Sequence, residues 1–287
     1  MIEVKKEILK EIFKEKPRDA IKYDWGLLVV IGGSDFYSGS PALAAMAAFK
    51  TGVDMVRIIA PKRAADIIAS FSPNLATYPL EGRWLEKKHL ATLIELTETA
   101  RISARENCAV VIGGGLGRTE ETQEVILEYL KQVSVSAVID ADAIYALAKE
   151  QEIVSGKKFL ITPHLYEFFV LTGIDVKNKK EEERIKAVEE ATQKLKTTIL
   201  LKGAVDIISD GKEVTLNRTG SGYMTKGGCG DTLAGICGAL MARGISPFLA
   251  AQVGAFINGK AGELAAEREK EGLLATDLIE AIPKVLH

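Results

Sequence analysis

The chain has 287 residues, enough for one large α/β unit or two small ones, and its 47% hydrophobic and 26% charged residues are the balance of a globular protein with a real core. Lys plus Arg is 37 and Asp plus Glu is 39, so the formal net charge of −2 offers no electrostatic basis for binding nucleic acid or an anionic membrane. No apolar run approaches the roughly 20 residues that cross a bilayer. Residues 1–18 mix Lys and Glu throughout and lack the apolar core of a signal peptide. The three cysteines, Cys108, Cys229 and Cys237, are odd in number and have no metal-like spacing. The reading is a cytoplasmic enzyme or binding protein without a disulfide scaffold or a zinc site.

In chain order, Val4, Ile8, Leu9, Ile12 and Phe13 have helical spacing. Strands are expected at 27–31, 55–60, 110–112, 137–139, 159–161 and 198–201, several of them apolar on both faces, as strands covered by helices on each side are. Two further runs, 205–209 and 213–216, flank Asp210-Gly211, a hairpin signal that adds an antiparallel edge. Ser40-Pro41, Thr162-Pro163 and Ser246-Pro247 each place a capping hydroxyl before a proline suited to the first helical position. A helix over 231–243 carries a one-face stripe of Leu233, Ile236, Cys237, Leu240 and Met241 and ends at Gly244. With no linker or internal repeat, the pattern predicts one three-layer α/β domain over 1–287, with a mostly parallel sheet and an antiparallel edge hairpin.

Ligands of open α/β sheets bind beyond the carboxyl ends of the strands, and four junctions there stand out. The loop 32–40 leads from a strand into a helix and offers glycine and free N–H groups, although an ordinary connection satisfies the same pattern. Gly113-Gly114-Gly115-Leu116-Gly117 follows a buried strand, but its spacing is not G-x-G-x-x-G and no ribose-binding acid accompanies it. His164, one of three histidines, begins a helix, where it serves equally well as a structural group, and Glu167 favours the helix dipole. The fourth junction is Thr225-Lys226-Gly227-Gly228-Cys229-Gly230-Asp231. Three glycines before a helix aim backbone N–H groups at one point, an anion site. An aspartate there is no anion ligand; it suits a general base working beside a transferring phosphoryl group, with a helix N-cap as its other reading. The Walker A pattern is absent.

Residues 32–45 (GGSDFYSGSPALAA), 112–117 (IGGGLG), 138–143 (VIDADA), 162–167 (TPHLYE), 201–206 (LKGAVD) and 224–235 (MTKGGCGDTLAG) together give the resemblance. The chain resembles the ribokinase-like superfamily and, within it, the NAD(P)H-hydrate dehydratase family over nearly its whole length. The resemblance implies repair of hydrated NADH or NADPH. ADP or ATP phosphorylates the hydrate hydroxyl, and phosphate then eliminates to restore the dihydronicotinamide. It makes Asp231 the base and Gly228, Cys229 and Gly230 the anion hole. Ser40, Gly117, His164 and Asp231 hold the hydrated dinucleotide, and Lys202, Gly203, Ala204, Val205, Asp206 and Gly230 form the adenine nucleotide site. Mg2+ is expected to bridge phosphates, and the family favours a homo-oligomer such as a tetramer. Ser40 stands where Ala is common, Tyr166 where Gly is frequent, and Cys229 where Thr is frequent; none of these removes a charged catalytic group. The stretch before the first strand is too short for the epimerase domain of many relatives, so action on the S-epimer alone is expected.

The nearest rival is an alcohol kinase of the same superfamily, acting on a hydroxyethylthiazole, a hydroxymethylpyrimidine or a sugar. It shares the glycine nest and Asp231 but releases a stable phosphoester. A non-catalytic nucleotide sensor has no need of Asp231, and an NAD oxidoreductase lacks its fingerprint.

Overall fold

A computed structural model describes residues 2–286. Ten strands form one sheet: β1 (Ile2–Glu3), β2 (Leu27–Ile31), β3 (Met55–Pro61), β4 (Ala76–Leu80), β5 (Cys108–Ile112), β6 (Ser136–Ile139), β7 (Phe159–Ile161), β8 (Thr198–Leu201), β9 (Asp206–Ser209) and β10 (Val214–Asn217). The helices are α1 (Ile8–Ile12), α2 (Gly39–Thr51), α3 (Lys62–Phe71), α4 (Leu90–Ser103), α5 (Glu120–Gln132), α6 (Asp142–Leu147), α7 (Leu165–Thr172), α8 (Glu181–Leu195), α9 (Cys229–Ala242), α10 (Pro247–Glu269) and α11 (Ala275–Val285). Among the described residues no helix is long and apolar enough to cross a membrane.

The strand order is β1-β10-β9-β8-β7-β6-β5-β2-β3-β4. Only β9 runs against the rest, antiparallel to both β8 and β10. The hairpin signal at Asp210-Gly211 is borne out, since the Asp210 carboxylate accepts from the Lys212 and Glu213 amides at the turn. The hairpin is not the sheet edge, however, because β1 adds in parallel beyond β10. Of the N-terminal run with helical spacing, Ile8, Leu9 and Ile12 lie in α1 and Phe13 caps it, while Val4 falls between α1 and the short strand β1 that precedes it. Strand β4 had no counterpart in the sequence reading; its ATYPL is mostly exposed and contains proline, so neither alternation nor a buried run marks it.

Alternation sorts the strand residues into two cores. Leu28, Val30, Val111, Val138, Leu160 and Leu200 face α2, α3, α9, α10 and α11. Leu27, Val29, Ile31, Val110, Ile112, Ile139 and Ile161 face α4 to α8. Because β2 and β5 are neighbours whose connections leave in opposite directions along the sheet, a crevice opens beyond their carboxyl ends.

Helix α9 is the central element. It was expected to be amphipathic, but Thr232 to Ala242 are buried without a break. It packs against α2 and α10 as well as β2, β5 and β6. Small residues make this possible: a Cβ on Gly235 would strike the Ala44 backbone, and one on Gly238 would meet Val111 and Leu28. From α10, a Cβ on Gly254 would meet Cys237. Two helix starts also differ from expectation. Ser38, not Ser40, is the N-cap of α2, with Ser40 inside the first turn, and His164, not Thr162, caps α7. Ser246-Pro247 behaves as read, the Ser246 side chain accepting from the Leu249 amide.

Overpacking a close helix contact costs about 1–3 kcal/mol. Gly235→Val is therefore expected to lower the melting temperature by several degrees in thermal denaturation. Gly272→Ala, where a methyl meets nothing within 4 Å, is expected to leave it unchanged.

Candidate active site

The first turn of α9 has no acceptors within the helix for its N–H groups, and it starts from Gly228 at φ 100°, a left-handed conformation that suits glycine. The space a side chain would take at Gly228 is filled by Leu43 and Ala275. Buried Asn258 of α10 steadies this turn: its Nδ2 donates to the Cys229 carbonyl at 3.3 Å, and the Thr232 hydroxyl lies 2.7 Å from its Oδ1. The result is a fixed set of donors at the positive end of a buried helix, as the glycine pattern implied.

Asp231 occupies the third position of α9 and makes no capping bond to the backbone. Its Oδ1 accepts from the Ser40 hydroxyl, and Gly114 lies so close to both side chains that a Cβ there would collide with Ser40. Ser40, Gly114, Asp140 and Asp231 thus line one small cleft at the β2–β5 crevice. Burial pushes the Asp231 carboxyl up to about 6, the nearby Asp140 carboxylate adds to this, and the Ser40 hydrogen bond and the Lys202 charge oppose it.

Lys202 follows β8 and points back under the turn. Its Nζ donates to Asp140 Oδ1 at 2.8 Å and lies 3.8 Å from Glu167 Oε2. A Cβ on Gly230 would sit 3.4 Å from that Nζ, so the ammonium stands beside the α9 N-terminus. Burial works against its charge, but Asp140, Glu167 and Asp231 outweigh burial and raise its pKa. The Thr162 hydroxyl also donates to Asp140 Oδ1, at 2.8 Å. Asp140 lies within VIDADA and has no role in the sequence reading, although an acid directly after the buried Ala137-Val138-Ile139 run of β6 was the available signal. Glu167 does more than favour a dipole: burial raises its pKa, Lys202 opposes that, and its Oε2 accepts from the His164 amide at 2.8 Å.

A cavity of about 570 Å3 opens beside this cluster. Lys202, Gly203, Ala204 and Asp206 form one wall and the 219–226 stretch, all but Tyr223, another, with Cys229, Gly230 and Asn258 at its base and His164 on its rim. Val205 turns away and packs on the α4–α8 side of the core. Residues 224–226 of the second wall belong to the glycine-nest segment read from the sequence, but 219–223 went unread because they carry no charged side chain. The wall lies flat on α10, where a Cβ on Gly259 would strike Thr219 and one on Gly262 would strike Met224.

His164 Nδ1 accepts from the Tyr166 and Glu167 amides at 3.1 and 3.2 Å, so its proton resides on Nε2, 3.3 Å from Glu167 Oε1. Gly117 lies outside the cavity: Trp84 covers it, and its amide donates to Asp142 Oδ2 at 2.9 Å. Arg118 beside it bonds Asp142 and stacks on Tyr145, 3.4 Å from the ring centroid. Ser40 therefore belongs to the crevice, His164 and Lys202 to the cavity, and Gly117 lines neither, while Asp231 stands where crevice and cavity meet. The Cys229 thiol is buried, which raises its pKa and keeps it a neutral wall of the anion site. Among the described residues no group of three or more His, Cys, Asp or Glu side chains gathers as a metal cage.

The profile of the NAD(P)H-hydrate dehydratase family matches residues 28–284. The chain is 41% identical over 270 residues to the bifunctional NAD(P)H-hydrate repair enzyme of Pyrobaculum aerophilum, covering 93% of this chain and 52% of that one. It is 36% identical over 282 residues to the ADP-dependent (S)-NAD(P)H-hydrate dehydratase of Cenarchaeum symbiosum, covering 97% and 94%. The chain spans about half the length of the bifunctional relatives it matches. The structure of the ADP/ATP-dependent NAD(P)H-hydrate dehydratase from Bacillus subtilis, co-crystallised with ATP/Mg2+, matches with a TM-score of 0.81 at 26% identity, covering 99% of this chain and 97% of that one. These similarities establish the ribokinase-like α/β fold for this chain.

A carboxyl held at about 6 in the folded chain, against 3.8 ordinarily, favours folding below pH 4 and loses that contribution as pH rises through 6. The ionised Asp231 therefore costs about 3 kcal/mol at pH 8. Asp231→Asn is expected to melt several degrees higher than the parent at pH 8, with the gap closing towards pH 4, in calorimetric scans across pH.

Proposed function

Because the chain belongs to the NAD(P)H-hydrate dehydratase family, we propose that it restores the S-epimer of hydrated NADH or NADPH to the dihydronicotinamide at the expense of ADP, with ATP as the alternative phosphoryl donor. The observation that carries this reading is the convergence at one point of the α9 N-terminus, the Lys202 ammonium and the Asp231 carboxylate, with a cavity on one side and a crevice on the other.

The nucleotide occupies the 570 Å3 cavity along Lys202, Gly203, Ala204 and Asp206, and its terminal phosphoryl rests on the amides of Gly228 to Gly230 with Lys202 beside it. The hydrated ring enters from the crevice by Ser40 and Gly117, with His164 at the boundary. Its hydroxyl then faces Asp231, which takes the proton as the oxygen attacks phosphorus and AMP departs. The ring nitrogen lone pair expels phosphate with the C–O electron pair, and the adjacent ring carbon loses a proton. The products are the dihydronicotinamide, phosphate and AMP. A carboxyl near 6 is ionised at neutral pH yet basic enough to accept a proton in the transition state.

Magnesium is bound through one or two carboxylates plus phosphate oxygens and water rather than by an all-protein cage. Asp140 and Glu167, the acids around Lys202, fit that demand and would hold it. When bound, the ion neutralises charge on the phosphates. The same reading has one functional unit over 1–287 working in the cytoplasm as a homo-oligomer, as the family favours.

The test is recovery of dihydronicotinamide absorbance from hydrated NADH with magnesium and ADP, ATP or neither. Recovery is expected only with a nucleotide, and Asp231→Asn is expected to lower turnover by about 10²–10⁴-fold while leaving nucleotide binding intact. The rate should rise with pH through about 6 and level off above it, since the base must be ionised. Folded protein that stably phosphorylates an alcohol and restores no dihydronicotinamide would replace this reading with an alcohol kinase.

A further inference from the structure

The two walls of the cavity leave the sheet from the same place. Asp206 opens β9 and Asn217 closes β10, and they are paired across the two antiparallel strands. The 202–205 wall runs into Asp206 and the 218–226 wall runs out of Asn217. Their side chains join at this open end of the hairpin. Asp206 Oδ1 accepts from the Gly203 amide at 3.0 Å, and its Oδ2 accepts from Asn217 Nδ2 at 3.0 Å. Asn217, fully buried, accepts through Oδ1 from the Thr219 hydroxyl at 2.8 Å. Just beyond Thr219 the second wall is also anchored to α10, where the Gly220 amide donates to Glu263 Oε1 at 2.9 Å.

We propose that Asp206 and Asn217 form a clamp that fixes both walls of the nucleotide cavity, so that Asp206 is a positioning residue and not a nucleotide ligand. Both of its oxygens already accept from the walls. The bonds converge on Asp206, running from Gly203 N–H into it on one side and, on the other, from Thr219 O–H into Asn217 and from Asn217 Nδ2–H into Asp206. A cavity whose walls are held before the ligand arrives loses less ordering entropy on binding. The clamp lies at the hairpin, away from the Asp231 chemistry, and so affects nucleotide affinity and leaves the phosphoryl-transfer step alone. This inference rests on the nucleotide reading of the cavity.

The central bond supplies the test. Asn217→Asp sets two carboxylates face to face and breaks the chain. Adding Asp206→Asn to it restores every bond: the oxygens at 206 and 217 still accept from the Gly203 amide and the Thr219 hydroxyl, and the central bond re-forms in the reverse direction, from the amide at 206 to the carboxylate at 217. ADP affinity by titration calorimetry, steady-state kinetics, and amide exchange of residues 203–205 and 218–226 without nucleotide are measured on each form. Asn217→Asp and Asp206→Ala are expected to speed amide exchange in both walls and to weaken ADP binding about tenfold or more. KM for ADP should rise in step, with kcat within about threefold of the parent. The exchanged double variant should return both exchange and affinity close to the parent. A double variant as weak as Asn217→Asp would show that the carboxylate at 206 is itself needed and would overturn the clamp. Parent-like ADP affinity in Asp206→Ala would overturn it as well. If the parent protein binds neither ADP nor ATP, the functional reading of the cavity fails first and the inference falls with it; parent binding that no variant disturbs removes the inference alone.

Discussion

Everything at the site depends on a buried helix whose close contacts leave no room for a side chain at Gly235 or Gly238. Helix α9 runs through the middle of one helical layer, covered by α2, α10 and the sheet, and its N-terminus comes out at the carboxyl edge of the strands. The dipole of a helix end is strongest where water is excluded, and burial along the whole length is what places this end in such a position. Gly235 and Gly238 let the neighbours approach closely enough to bury it. Gly228 and Gly230 leave the first turn bare enough for an anion to reach the backbone. The same residue type therefore serves packing at one end of the helix and chemistry at the other.

The charge around that end is arranged for a guest. One ammonium, Lys202, stands among Asp140, Glu167 and Asp231, and burial raises the proton affinity of Glu167 and Asp231. Asp140 and Thr162 hold the ammonium rigidly beside the helix terminus, so its charge is aimed before any ligand arrives and little reorganisation is needed during transfer. A carboxylate that would repel phosphate is tolerated at Asp231 because its proton affinity is raised and the Ser40 hydroxyl supports its charge.

Much of this was legible because it depends on local chemistry. Buried parallel strands are continuous apolar runs, and a glycine nest followed by an acid announces both an anion and a base. The misreadings came from tertiary context. Ser40 has the sequence of a helix cap, but its hydroxyl is turned to Asp231, a residue 191 positions away. Thr162 reads as a cap too, yet it serves Asp140 while the imidazole of His164 caps α7. The stripe on α9 suggested one buried face, since periodicity cannot report that glycine and alanine on the other face are buried as well. The 219–226 wall is shaped by α10 beneath it, and nothing within its own residues announces that.

Trp84 lies over Gly117, and the second of the chain's two tryptophans, Trp25, stacks under Lys16 near the N-terminus. Indole emission overlaps the absorption of a dihydronicotinamide ring but not that of its hydrate. A ring restored beside Gly117, as the proposed function has it, would thus be an energy acceptor for the adjacent Trp84. Under the proposed reading, Trp84 emission would then dim as product forms and recover as product leaves, so that release could be timed separately from chemistry.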